Sequence, residues 1–311
     1  MTPHKPRCFA PFRQPIVLAL AILLLAPIAA AQPPGTPLRV TVTVPPLVWL
    51  VAQVAGPEVV VDHLIEVGEN PETFQPTDRQ ITDVARSALF FRIGVEAENG
   101  RWLKALGNSG ALEVVDLRQG LELRAMAHGT GEGHASGHHH HHPRGAMDPH
   151  TWLSPRRLAI MAGTVARHLA EVDPAGAAGY ASRATEVAQR LDELDRELRA
   201  RLAPVEGRAF FVFHPAWGYF ADDYGLHQVA IESQGKEPSE RELTQLVRRA
   251  QDLGMRTLFV EPLVRSSTPA ILARTVGARL EPLDPLAANL PANLRHVAER
   301  VSVALGPEEE P

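Results

Sequence analysis

The stretch PAGAAGYASRATEVAQRLDELDRELRARLA, residues 174–203, decides the architecture. Its apolar positions Ala184, Val187, Leu191, Leu194, Leu198 and Leu202 fall three and four apart among charged residues, the period of a helix with one buried face. Pro204 and Gly207 end the run. At 1.5 Å per residue such a helix spans roughly 45 Å, long enough to be the spine between two lobes. The same pattern also suits a plain surface helix, so its flanks matter. Before it, alternating Leu38, Val40, Val42 and Val44 read as a strand, and Pro45-Pro46 opens a helix that stops at Gly56. Residues 59–65 and 88–93 are strand-like, 76–87 is helical, and 112–117 is a weaker strand. Pro155 starts a helix with Leu158, Met161, Ala162, Val165 and Leu169 on one face, ending near Asp173-Pro174. After the spine the alternation restarts, with strands at 209–213, 227–231, 257–260 and 279–283 and helices at 239–253 and 268–276. Strand–helix alternation predicts an α/β chain of two lobes, each with a parallel sheet inside its helices.

At 311 residues, 45% hydrophobic and 22% charged, the chain is globular, with room for two domains. Against 36 Asp+Glu the 31 Lys+Arg form no long basic block, so no nucleic-acid partner is expected. Lys5, Arg7 and Arg13 precede an apolar run at 16–26, and Ala29-Ala30-Ala31 supplies the small residues of a signal-peptidase site. Residues 1–31 therefore read as a cleaved signal peptide, and the mature chain as an exported, periplasmic protein. A run of about 11 apolar residues is about half of the ~20 a membrane span requires. The only cysteine, Cys8, leaves with that segment, so any metal must be held by nitrogen and oxygen. The domain reading is 1–31 signal peptide, 32–173 N-terminal lobe, 174–204 connecting helix and 205–311 C-terminal lobe.

Glycine-rich spacers separate His128, His134 and the consecutive His138, His139, His140, His141 and His142. That composition offers little apolar area, so 128–142 reads as a flexible loop that collects borderline metals with poor geometry. A principal site needs ligands held at strand ends, where doubly wound sheets bind. Four candidates stand there, each beside proline: Glu72 in GENPETFQPT (68–77), His150 in MDPHTWLSP (147–155), His214 in FVFHPAWGYF (211–220) and Asp284 in LDPL (283–286). Any one of them is an ordinary turn or cap residue. Together, two per lobe, they fit a closed N₂O₂ metal site in a cleft. His63 and His168 read as packed or surface residues. No HExxH pair, GxSxG elbow or phosphate loop is present, Gly235-Lys236 lacking the flanking residues of the last.

These motifs resemble those of the periplasmic solute receptors of ABC importers for zinc and manganese, from about Leu38 to about Leu305. GENPETFQPT is similar to the family's G-x-x-P-H-x-F-x-P-T segment, and DPHTWLSP matches its second ligand motif closely. FHPAWGYF with the later DYGL resembles the third, and EPL at Glu261 with LDPL resembles the fourth. The resemblance implies two similar lobes, a rigid connecting helix, and a metal at their interface held by His150, His214 and Asp284. It implies a non-enzymatic, monomeric receptor that passes Zn²⁺ to an inner-membrane permease whose ATPase is a separate chain.

One residue departs from the pattern: Glu72 stands where the family has its first histidine. Two carboxylates suit Mn²⁺ or Fe²⁺ better than a three-histidine set does. The histidine at 214 is the zinc-type residue of the family, and zinc is the expected cargo, with Mn²⁺ or Fe²⁺ the alternative. Glu69 or water could take the place of Glu72. Glu261 is expected to accept a hydrogen bond from a ligand histidine and so orient it, the alternative being a general base in a metalloenzyme. The readings from other classes are an exported metal-dependent hydrolase, and a metal-buffering protein or adhesin whose histidine loop is its only binding element.

Overall fold

In the computed structural model the described residues are Met1, 37–110, 112–126, 147–232, 237–262 and 264–307. The expected signal peptide at 1–31, the histidine-rich loop at 128–142 and Gly235-Lys236 lie outside them. The N-terminal lobe carries β1 (Leu38–Val42), α1 (Pro45–Ala55), β2 (Val59–His63), α2 (Asp78–Ala85), β3 (Leu89–Arg92), α3 (Arg101–Asn108), β4 (Glu113–Asp116) and α4 (Pro155–Val172). After α5 (Ala177–Leu202) come β5 (Ala209–Val212), α6 (Gly218–Asp223), β6 (His227–Ala230), α7 (Glu240–Asp252), β7 (Thr257–Val260), α8 (Thr268–Val276), β8 (Arg279–Pro282) and α9 (Leu290–Leu305). Both four-stranded sheets are parallel, in the orders β2-β1-β3-β4 and β6-β5-β7-β8. The lobes thus share one topology, with a reversal of strand order beside β1 and beside β5.

Local chemistry explains the boundaries. Pro45-Pro46 sits at the start of α1, where a missing N–H costs nothing, and Gly56 ends it at φ 84°. Thr77 and Gln80 form a reciprocal capping box on α2, and Ser239 with Glu242 does the same on α7. The alternation of β1 predicts one buried face, yet Thr41 and Thr43 are buried too. Their hydroxyls are satisfied inside the fold, Thr41 by Ser87 (2.7 Å) and Thr43 by Glu98 Oε1 (2.6 Å).

The connecting helix is shorter than the sequence pattern suggests. Pro174–Gly176 and Ala203–Val205 are 3₁₀ turns, and α5 proper lies between them. Its apolar stripe is buried as expected, in a core continuous from α1 and α4 of the first lobe to α9 of the second. Further ties cross between lobes near the spine. Trp152 Nε1 donates to Pro285 O (2.8 Å), Tyr219 Oη to Asp148 O (2.9 Å), and Arg157 Nη1 to Asp223 Oδ1 (3.1 Å). Each contributes about 1 kcal/mol and, with the shared core, opposes hinge motion. Leu191 is 1% exposed in that core. Leu191→Ala is expected to cost about 2–5 kcal/mol in denaturant unfolding; a loss under about 1 kcal/mol would mean the spine is not packed as described.

Candidate metal centre

Every strand of the C-terminal lobe ends on a titratable side chain. His214 stands two residues past β5, Glu232 two past β6, Glu261 one past β7 and Asp284 two past β8. All four line a cleft of about 1670 Å³, whose other wall brings Glu66, Glu69, Glu72, Glu96 and His150. Parallel strands point their carboxyl ends the same way, so the loops that follow share one rim.

His150 is held by its own turn. Asp148 Oδ1 accepts both the His150 main-chain N–H (3.0 Å) and its ring Nδ1–H (2.8 Å). That leaves Nε2 facing the cleft. His214 mirrors it: Glu232 Oε1 takes the Nδ1–H, and Nε2 lies 3.3 Å from Nε2 of His150. Two nitrogens bound to one tetrahedral zinc ion at ~2.0–2.1 Å would be about 3.3 Å apart, so the pair is already at ligand spacing. Two lone pairs at that distance repel unless a cation or a proton lies between them. Burial disfavours a charged His214, but the Glu232 hydrogen bond and the charges of Glu72, Glu232 and Glu261 outweigh it and raise the ring to about 9. In the metal-free protein the proton therefore does the cation's work.

Glu72 comes from a tight turn in which Asn70 Oδ1 accepts the Glu72 N–H (2.8 Å) and buried Phe74 anchors the chain. Its Oε1 is 3.7 Å from His214 Nε2, and its Oε2 is buried without a hydrogen-bond partner among the described residues. Glu69, the alternative, is on the cleft rim and exposed. Asp284 reaches the same cleft but is not among the side chains clustered at His214: its Oδ1 accepts the Leu286 N–H (2.8 Å). Glu261 is beside His214, where burial pushes its carboxyl up against the pull of the His214 charge. The ring partner expected of it is instead Glu232, a residue absent from the sequence reading. Register explains this: Val212 pairs with Ala230, so the residues two beyond each meet. Among the described residues two trios are close enough to share an ion, Glu72, His214 and Glu232 here and Glu113, His168 and Glu171 elsewhere. There His168 Nδ1 is 2.6 Å from Glu113 and 3.3 Å from Glu171, a packed ring paired with two more exposed glutamates away from the cleft.

Residues 40–301 match the family described as zinc-uptake complex component A, periplasmic. The chain belongs to this family. The high-affinity zinc uptake system protein ZnuA of Bacillus subtilis (strain 168) is 29% identical over 283 residues, 87% of each chain. A crystal structure of ZnuA superposes with a TM-score of 0.77 at 32% identity, covering 87% of this chain and 100% of that one. A ZnuA deletion mutant with zinc bound gives a TM-score of 0.78 at 32% identity, over 88% and 100%. The expected family and fold thus hold: two parallel-sheet lobes joined by a long helix, in a member of a family of extracytoplasmic zinc-uptake receptors. No described helix of this family member is long and apolar enough to cross a membrane.

Proposed function

We propose that this protein captures Zn²⁺ between its lobes, with Glu72, His150, His214 and Asp284 as ligands. The observation that carries the reading is the pair of Nε2 atoms 3.3 Å apart, each ring braced by a carboxylate on its other nitrogen. Glu72 adds an oxygen donor at the same point, and Asp284 supplies the fourth by turning within the cleft. Two carboxylates then neutralise the ion. The seven loop histidines act as accessory collectors. The mature chain, freed of residues 1–31, works as a periplasmic monomer and delivers its ion to an inner-membrane permease driven by a separate ATPase chain. It performs no catalysis, the site being built to close around the ion rather than to keep a position open for substrate.

Deleting residues 128–142 tests the reading. Ala125 and Met147 form an antiparallel bridge and Asp148 N–H reaches Arg124 O (3.0 Å), so the described chain on the two sides of the segment is already paired. Exposed to equal Zn²⁺ and Mn²⁺ with a chelator, the shortened protein is expected to retain one zinc by native mass spectrometry. Retained manganese would overturn the cargo, and no retained metal would overturn the cleft site.

A further inference from the structure

We infer that Glu232 sets the preference of the cleft for zinc over manganese, acting through His214; this rests on the receptor reading above. Donor type alone argues the other way. Glu72, His150, His214 and Asp284 together offer two imidazoles and two carboxylates, a set that suits a harder ion. What restores the balance is the strength of the nitrogen donors rather than their number. A carboxylate on the far ring nitrogen holds the imidazole in one tautomer, aims its lone pair and makes it a better donor. Zinc gains more from a strong nitrogen than manganese, which draws most of its affinity from oxygen.

Both histidines carry such a carboxylate, but the two differ in what else they hold. Asp148 Oδ1 also accepts the main-chain N–H of His150, so it builds the turn as well as bracing the ring. Glu232 is placed by the sheet: its N–H bonds Phe213 O (3.0 Å), beside His214, and its side chain, in a residue only 9% exposed, meets the ring. It is therefore a positioning residue whose removal leaves the strand ends joined.

Glu232→Gln keeps an oxygen that can accept the Nδ1–H and removes the charge, while Glu232→Leu removes both. Affinities of the full mature chain for Zn²⁺ and Mn²⁺, each measured by chelator competition, are expected to diverge. Zinc affinity should fall about 10–100-fold in Glu232→Gln and further in Glu232→Leu, while manganese affinity changes by less than about threefold. The zinc-to-manganese ratio is a readout that mere loosening of the fold would not move; circular dichroism and melting of the metal-free variants report folding itself. Equal losses for both metals, or an unchanged zinc affinity in folded Glu232→Gln, would overturn the inference alone. A wild-type chain that holds neither metal would overturn the receptor reading and this inference with it.

Discussion

His214→Ala is expected to abolish stoichiometric zinc binding under chelator competition. Structural zinc sites of four ligands bind with about 10–16 kcal/mol, so one ligand's even share is about 3 kcal/mol, or more than two orders of magnitude in affinity. His214 should cost more than that share, because its ring is the point on which the site converges. Nε2 faces both His150 and Glu72, and Nδ1 holds Glu232. Without it, the carboxyl groups of Glu72, Glu232 and Glu261 are left together with no imidazolium among them. Removing one partner of a buried pair costs about 3–5 kcal/mol, so the metal-free variant should also melt earlier. His168→Ala is the control. It removes an imidazole that also has two glutamates and is about equally buried, but none of the three lines the cleft, so zinc affinity is expected to stay within about twofold. Retained zinc in folded His214→Ala, or equal loss in both variants, would refute the cleft assignment.

The second large effect is on pH. With His214 at about 9 in the metal-free protein, its second proton occupies Nε2, the atom zinc must take. Each ion bound near pH 7.5 should displace about one proton from this ring, and affinity should fall about tenfold per unit of pH. Between pH 7.5 and 5.5 that is about a hundredfold from His214 alone. Isothermal titration in buffers of different ionisation enthalpy measures the proton count; a flat profile would refute imidazole ligation.

The same shift predicts an opposite trend for the empty protein. A histidine raised from 6.5 to about 9 binds its proton more tightly folded than unfolded. Its stabilisation is complete below about pH 6.5 and is lost as pH rises through about 9, on the order of 3 kcal/mol. Glu261, pushed up by burial, adds in the same direction at lower pH. The metal-free protein should therefore lose melting temperature from pH 6.5 to 9, while the increment produced by zinc grows over that range. Increments that shrink with rising pH would place the displaced proton elsewhere.

Much of the fold was legible because its signals are local. The strand Thr257–Val260 and the helix Thr268–Val276 coincide with the residues read from pattern alone. Three helices lay outside that reading. In α9 a periodic stripe exists, Leu290, Leu294, Val297, Ala298 and Val301, all buried; the signal was there to be read. In α6 it was not, since GYFADD is buried nearly all round and has no polar face to set a period. The long helix was overextended at both ends, because prolines at 174 and 204 permit a 3₁₀ turn that a periodic stripe does not distinguish from α-helix.

The amino-acid sequence by itself determined the α/β alternation, the spine, the family and three of the side chains that meet at the centre, Glu72, His150 and His214. All of these follow from neighbours along the chain: period, proline-bounded turns, and ligand types at strand ends. Only the tertiary structure decided that Glu232, eighteen positions from His214, braces its ring, that Glu261 does not, and that Asp284 stops short of the cluster. The reason is that a parallel sheet brings residues together by register rather than by order, and no local signal in Ile231-Glu232-Ser233 carries the register of β5 against β6.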